Sequence, residues 1–384
     1  MPTVADIIHL VEELAPPQYG LPGDPGGLQL GEAKAEVRRV LVALDLTGDV
    51  LDRASAAMAD LIVLHHPPVF RPLTDLRADR PHNRLLLRAA AADVAICAWH
   101  TALDSAPGGI NDWLAARLGL SDATPLLETG REKLYKVAVF VPVGYEDTVR
   151  QAMGDAGAGY IGNYSHCTFA APGTGTFKAL PGATPFLGRV GELERAAELR
   201  LETIAPASRL PSVLSAMLAA HPYEEVAYDV YALENQGPQS GLGRVGKVRD
   251  TDGSPAITGR DWLRRCQAIW PSVAASSVAA STTAAPSVCV TAGASRLDAL
   301  FSSAAGCSGD GGRLVDTAIR RGAAALVTGE TGYHDRMLAE EEGLLLVEVG
   351  HGPSEAVYLP ILADRLGERA AAAGWDVDLE VVLH

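Results

Sequence analysis

Five short apolar runs constrain the fold of this chain more than any other feature: VLVAL at 40–44, LIVL at 61–64, VAICA at 94–98, AALV at 324–327 and LLLVEV at 344–349. Each is nearly continuous in apolar residues and does not alternate with polar ones. Between them lie segments with helical spacing, such as GDVLDRASAAMA (48–59), HNRLLLRAAAA (82–92), INDWLAARLGL (110–120), GGRLVDTAIRRG (311–322) and YHDRMLAEEEG (333–343). A strand that is apolar on both faces must be covered on both faces. The pattern therefore predicts an α/β fold with a parallel or mixed sheet between two layers of helices.

The middle of the chain follows another order. KVAVFVPVG, YEDTVRQAMGDAGAG, YSHCTFAAPG, ELRLETIAP, RLPSVLSAMLAAH and EEVAYDVYAL read as β-α-β-β-α-β, the ferredoxin-like succession. The expected organisation is an inserted ferredoxin-like α+β domain over 131–234, splitting one α/β domain into halves at 1–130 and 235–384. The Gly-rich run NQGPQSGLGRVGKV (235–248) is the joint, and the Ala/Ser/Thr-rich stretch 270–308 reads as a loop or loose strand. SEAVYLPILADRLGERAAAA is a last helix, with Ser354 as its N-cap and Pro360 kinking it or shifting its start.

At 384 residues the chain is long for one core, which also favours two domains. The formal charge of −15 argues against a nucleic-acid partner, and no basic patch offsets it. An anionic small-molecule substrate remains compatible, because a bound metal reverses the local sign. The five cysteines (97, 167, 266, 289 and 307) form no C-x-x-C pair, which argues against a disulfide framework and a cysteine zinc site. MPTVADIIHLVEELAPP reads as an amphipathic helix with Val4, Ile7, Ile8, Val11 and Leu14 on one face, not as a signal peptide. No apolar run approaches membrane-spanning length. The expected location is the cytoplasm.

Three of the buried runs stop at residues able to bind metal. LIVL ends at His65 and His66, VAICAW at His100 with Asp104 following, and LLLVEVG at His351 with Glu355 following. In open α/β sheets, ligands sit at the carboxyl ends of strands. Imidazole and carboxylate together suit zinc, manganese, iron or cobalt. Five or six donors, with a carboxylate able to bridge, suit two divalent ions better than one. Taken singly, each group has a plainer explanation: a solvated turn for the histidine pair, an imidazole held by a carboxylate for His100 and Asp104, a favourable helix start for Glu355. Three coincident strand ends favour the metal site.

H65-H66-P-P, W-H-T-A-L-D (99–104), T-G-E-T-G-Y-H-D (328–335) and G-H-x-x-x-E (350–355), in this order, resemble the family of GTP cyclohydrolase 1 type 2 homologues, dinuclear-metal hexameric proteins. GDPGGLQLG (23–31) resembles that family's D-N-x-G-L-Q-x-G motif, with Pro25 and Gly26 in place of the usual residues. The resemblance implies metal ligands His65, His66, Asp104, His351 and Glu355, with Glu355 bridging, and a homohexamer. It makes His100 either a further ligand or an acid/base partner, and it places Glu330 and His334 at the cavity, although His334 also fits as a simple helix cap. It implies a PII-like or CutA-like insert, for which HPYEEVAYDVY (221–231) is the nearest stretch. The loose GCSGDGG turn (306–312) departs from the family pattern; it reads as a plain loop or a weak phosphate cradle, and it is not a P-loop.

Two ions there, whether zinc, manganese or iron, imply a hydrolase using a metal-activated water, with His100 or His334 moving the proton and a nucleotide such as GTP as one candidate substrate. The competing expectation is a non-catalytic metal-binding regulator or scaffold whose insert senses a ligand.

Overall fold

The computed structural model describes residues 1–250, 253–270 and 288–383. The core of the Ala/Ser/Thr-rich stretch, 271–287, lies outside the described residues; the remainder, expected as a loop or loose strand, forms the strands Cys289–Ala292, Leu300–Phe301 and Ser303–Gly306. The chain forms two compact units, Met1–Gly130 with Gln239–His384, and Arg131–Pro238.

Among the described residues the first unit holds two main sheets, besides a two-stranded pair of Ile257–Thr258 and Leu300–Phe301, where the sequence pattern predicts one. In the first, the strands Arg39–Ala43, Leu61–Leu64 and Ala95–Ala98 run parallel. Gly27–Leu30 closes one edge antiparallel to Ala95–Ala98, and Asp378–Val382 closes the other edge parallel to Arg39–Ala43. In the second, Ser303–Gly306, Ala325–Thr328 and Leu345–Glu348 run parallel, flanked by antiparallel partners from Cys289–Ala292 and from Tyr228–Val248. Apolar runs report burial but not partners. Pairing is set by long-range closure, and here residues near 380 pair with residues near 40.

Why the runs are continuous is visible in the packing. Alternate side chains of one strand enter different cores: Val40 and Val42 join Leu61, Val63, Ala95 and Cys97 on one face, while Leu41, Ala43, Ile62, Leu64, Ile96 and Ala98 line the other. The helices Val4–Leu14 and Leu359–Ala372 cover the first face, and Gly48–Ala57 and Pro81–Ala91 the second. The second sheet repeats the scheme, with Ala325, Val327, Leu345 and Val347 against Trp262 and Cys266, and Leu326 and Leu346 against Val315 and Ala318.

The end of the chain departs from the single helix expected there. Residues His351–Ala356 form a short helix of their own, and Leu359–Ala372 begins again with Pro360 in its first turn, where a missing N–H leaves no bond unmade. Pro360 thus shifts the start and does not kink. Ser354 lies inside the short helix, so it caps nothing; its hydroxyl donates to the His351 carbonyl and accepts from the Gly309 N–H, at 2.6 and 2.8 Å.

The second unit keeps the β-α-β-β-α-β succession, with helices Glu146–Asp155 and Leu210–Ala220. Its strands lie in the order Tyr228–Val248, Leu120–Pro142, Leu193–Pro206, Thr168–Lys178. Val137, Val139 and Val141 pack with Val149, Met153, Leu201, Val213 and Met217 in a core of their own.

Candidate metal centre

The carboxyl ends of the parallel strands in both sheets of the first unit supply the site. From the first sheet come Asp45, His65, His66 and His100, each within two residues of a strand end; from the second come Glu330 and His351. The backbone fixes these ends: the His65 N–H donates to Ala43 O at 3.1 Å, His66 N–H to Leu44 O at 3.0 Å, and His100 N–H to His65 O at 2.9 Å. Two short helices then add the carboxylates. His100–Ser105 and His351–Ala356 each open on a histidine, and Asp104 and Glu355 follow one turn later on the same side. Gly350, at φ 92°, makes the turn from strand into the second of these helices.

The donors converge. His65 Nε2 lies 3.7 Å from Asp104 Oδ1 and 3.6 Å from Glu355 Oε1. Glu355 also stands 3.1 Å from His66 Nε2 and 3.5 Å from His351 Nε2. The rings of His65, His66 and His100 are mutually 4.9–5.5 Å apart, and His351 is 5.5 Å from His66. Two overlapping donor sets result, His65 with His66 and His100, and His66 with His351 and Glu355, each with its ligand atoms inside 4.8 Å. The site is graded in depth: His65, Asp104 and Glu355 are buried, while His66, His100 and His351 are partly open.

The outer nitrogens of three imidazoles are already committed. His66 Nδ1 meets Asp45 at 2.8 Å, His100 Nδ1 meets Asp24 at 2.7 Å, and His351 Nδ1 meets Glu330 at 2.9 Å. A carboxylate holding Nδ1–H fixes the ring and leaves Nε2 as the free donor, the usual arrangement behind a metal ligand. By contrast, His65 Nε2, Asp104 Oδ1 and Glu355 Oε2 are buried and make no aligned hydrogen bond. Buried polar atoms are rarely left so. An imidazole nitrogen with a carboxylate oxygen on either side, at 3.7 and 3.6 Å, fits a divalent cation.

Electrostatics point the same way. Burial opposes charge on His65, but the carboxylates of Asp104 and Glu355 overcome it and raise its affinity for protons. Burial likewise opposes charge on His66, yet Asp45 and Glu355 carry it to about 10. Burial pushes the Asp104 carboxyl up, while the two histidines hold Glu355 well below the usual carboxylate range despite its burial. The cluster therefore demands positive charge, and protons supply it when no ion does.

The GCSGDGG turn packs closely against the site. Gly309, at φ +68°, lies so close to Glu355 that a Cβ would fall 2.4 Å from Oε1. Buried Asn111 ties this turn to the Asp104 helix, donating to Asp104 O and accepting from the Ser308 N–H, both at 3.0 Å. Neither Asn111 nor the orienting pair Asp24 and Asp45 stands out from the sequence as a site residue. Asp45 was within reach of the strand-end rule, since it directly follows VLVAL, and Asp24 lies in the GDPGGLQLG motif.

The histidines and carboxylates expected at the site are brought together with one exception. His334 is exposed in the first turn of Tyr333–Glu341, its ring 5.3 Å from Tyr333, and among the described residues it forms no hydrogen bond or ion pair with the donors. Beside His66 and Asp45 opens a cleft of about 640 Å³, lined by the loop that follows the histidine pair.

Residues 2–383 match the family described as Duf34/NIF3 (NGG1p interacting factor 3). The chain belongs to that family. Among its curated relatives, a "GTP cyclohydrolase 1 type 2 homolog" of Bacillus subtilis is 41% identical over 347 residues, 90% of this chain and 87% of that protein. Its counterpart in Halalkalibacterium halodurans is 40% identical over 345 residues, 90% and 87% of the two chains. The crystal structure of a Bacillus cereus protein related to NIF3 superposes over 100% of this chain and 97% of its own, with a TM-score of 0.82 and 38% identity. No helix among the described residues is long and apolar enough to cross a membrane.

Proposed function

We propose that this member of the Duf34/NIF3 family is a metal-dependent hydrolase whose centre holds two divalent ions, zinc, manganese or iron. The observation that carries the reading is the gathering of buried His65 Nε2, Asp104 Oδ1 and the Glu355 carboxylate beside His66 Nε2 and His351 Nε2, with no aligned hydrogen bond at His65 Nε2 or Asp104 Oδ1. His65, His66, Asp104, His351 and Glu355 would hold the ions, with Glu355 shared between them, since its carboxylate lies within 3.6 Å of nitrogens of three imidazoles. Bound there, the ions supply Lewis acidity and a water acidified toward neutral pH. Asp45 and Glu330 keep the His66 and His351 rings oriented. His100, held by Asp24 and partly open, is placed either to complete the first donor set or to move a proton through Nε2. His334 has no comparable support.

The names of the relatives suggest GTP ring opening as the first reaction to assay. We further propose a PII-like character for the inserted unit, resting on its strand succession and separate core, and a cytoplasmic homohexamer, resting on the family resemblance alone. Metal analysis of the purified protein should give two ions per chain, with losses in His65→Ala and Asp104→Ala. Fewer than two in the unmutated protein overturns the dinuclear reading. Metal-loaded protein screened against GTP, phosphoesters and cyclic amides should show turnover that Glu355→Ala abolishes. Full metal content without turnover on any of them favours the regulatory alternative, in which the insert senses a ligand.

A further inference from the structure

The loop after the histidine pair carries chemistry that the donor cluster does not use. It walls the 640 Å³ cleft, a volume suited to a small molecule, and His66 and Asp45 form part of the same wall. Much of the lining is apolar: Leu46, Pro67, Pro68, Phe70 and Pro72. Phe70 is 54% exposed, and its ring stands edge-on to His100 at 6.1 Å. A large aromatic side chain left in the open beside a polar centre offers a flat surface for a ring.

The charges of this loop are nearly all matched. Arg80 is paired with Asp75 at 3.0 Å, and Arg77 with Asp79. Arg71 also lines the cleft, and among the described residues no carboxylate lies within ion-pair distance of it. Arg71 is exposed at the cleft, so its guanidinium is open to a ligand entering there. Its planar fork matches a phosphoryl or carboxylate group in two-point contact.

We propose that Arg71 anchors the substrate: it binds the oxyanion group of a small aromatic or heteroaromatic molecule whose ring lies against Phe70 and whose reacting end faces His66. This deepens the hydrolase reading and rests on it, and it assigns Arg71 to substrate binding and not to the bond-breaking step.

The test is calorimetric titration of the full-length protein, as purified and again after chelation, with phenyl phosphate, benzoate and phenol. Phenyl phosphate, benzoate or both should bind the unmutated protein, and phenol should not. Arg71→Ala should weaken the anion by about tenfold or more, the weight of one charge-assisted pair, with Arg71→Lys intermediate and Arg77→Ala unchanged. The same ratio should persist after chelation. Equal affinity in the unmutated protein and Arg71→Ala, or phenol binding as well as the anions, overturns the proposal. A protein that binds no ion yet shows the Arg71 dependence refutes the hydrolase reading and leaves the anion site standing. A metal-loaded, active protein indifferent to Arg71 does the reverse.

Discussion

Metal binding at this site should release protons, and the structure sets the size of the effect. In the ion-free protein, Asp45 and Glu355 hold His66 charged up to about 10, against an ordinary imidazole value of 6.5. An ion taking His66 Nε2 must displace that proton. At pH 7 the displacement costs about 4 kcal/mol, taking roughly 1.4 kcal/mol for each of about three pH units. The sign follows directly: the competing proton is held more weakly as pH rises, so apparent affinity climbs about tenfold per pH unit, or about a hundredfold from pH 6 to pH 8. If His65, also raised, gives up its proton in the same step, the slope is steeper. For the ion-free protein the linkage runs the other way. The stability contributed by charged His66 is fully present below about pH 6.5 and is lost as pH rises toward 10. Calorimetry with zinc or manganese, repeated in buffers of different ionisation enthalpy, counts the protons directly. At least one should leave per chain on binding the first ion. A flat affinity between pH 6 and pH 8, with no proton released, would refute the reasoning.

Other perturbations read other parts of the site. Asp45→Asn and Asp24→Asn each remove a carboxylate that orients an imidazole, and each should weaken metal binding about 10- to 100-fold with little loss of fold, as followed by metal titration and circular dichroism. Gly309→Ala places a Cβ 2.4 Å from Glu355 Oε1 at a positive φ; backbone strain alone should cost about 1–2 kcal/mol, and metal content should fall, so unchanged melting and metal content would contradict the packing role assigned to this turn. Ile62→Ala empties a fully buried strand position three residues before His65 and should cost about 2–5 kcal/mol in denaturant unfolding. Chelation should lower the melting temperature of the unmutated protein and leave that of His65→Ala almost unmoved, because only an ion bound to the folded state stabilises it.

The parts legible in the sequence are those governed by local pattern. LIVL, VAICA and LLLVEV had to be doubly covered strands, and their ends gave His65, His66, His100 and His351 directly. Asp104 and Glu355 were visible as carboxylates closely following those histidines, and the family motifs W-H-T-A-L-D and G-H-x-x-x-E marked them as ligands. What the sequence hid depends on distance. Nothing local shows that Asp24 reaches His100, that Asn111 joins Asp104 to Ser308, or that residues 378–382 close the first sheet. The division into two sheets was hidden for the same reason, since a buried strand carries no label for its neighbour. Arg71 stood out only when its lack of an acid partner and its place in a cleft could be seen together.

The placement of Asn111 and Gly309 behind the carboxylates has a further consequence. The donors run in sequence from His65 to Glu355, with Asp24 and Asp45 before them, and the whole of Arg131–Pro238 separates the first group from the second. No fragment that stops before the insert ends, or that starts after it, carries a complete set. A chain cut short there, or one whose second sheet has yet to form, presents His65, His66, His100 and Asp104 without His351 and Glu355, or the reverse. Stoichiometric metal uptake would therefore report that the chain had extended past Glu355 and that the two sheets had met around the donors, which makes it a readout of assembly as well as of chemistry.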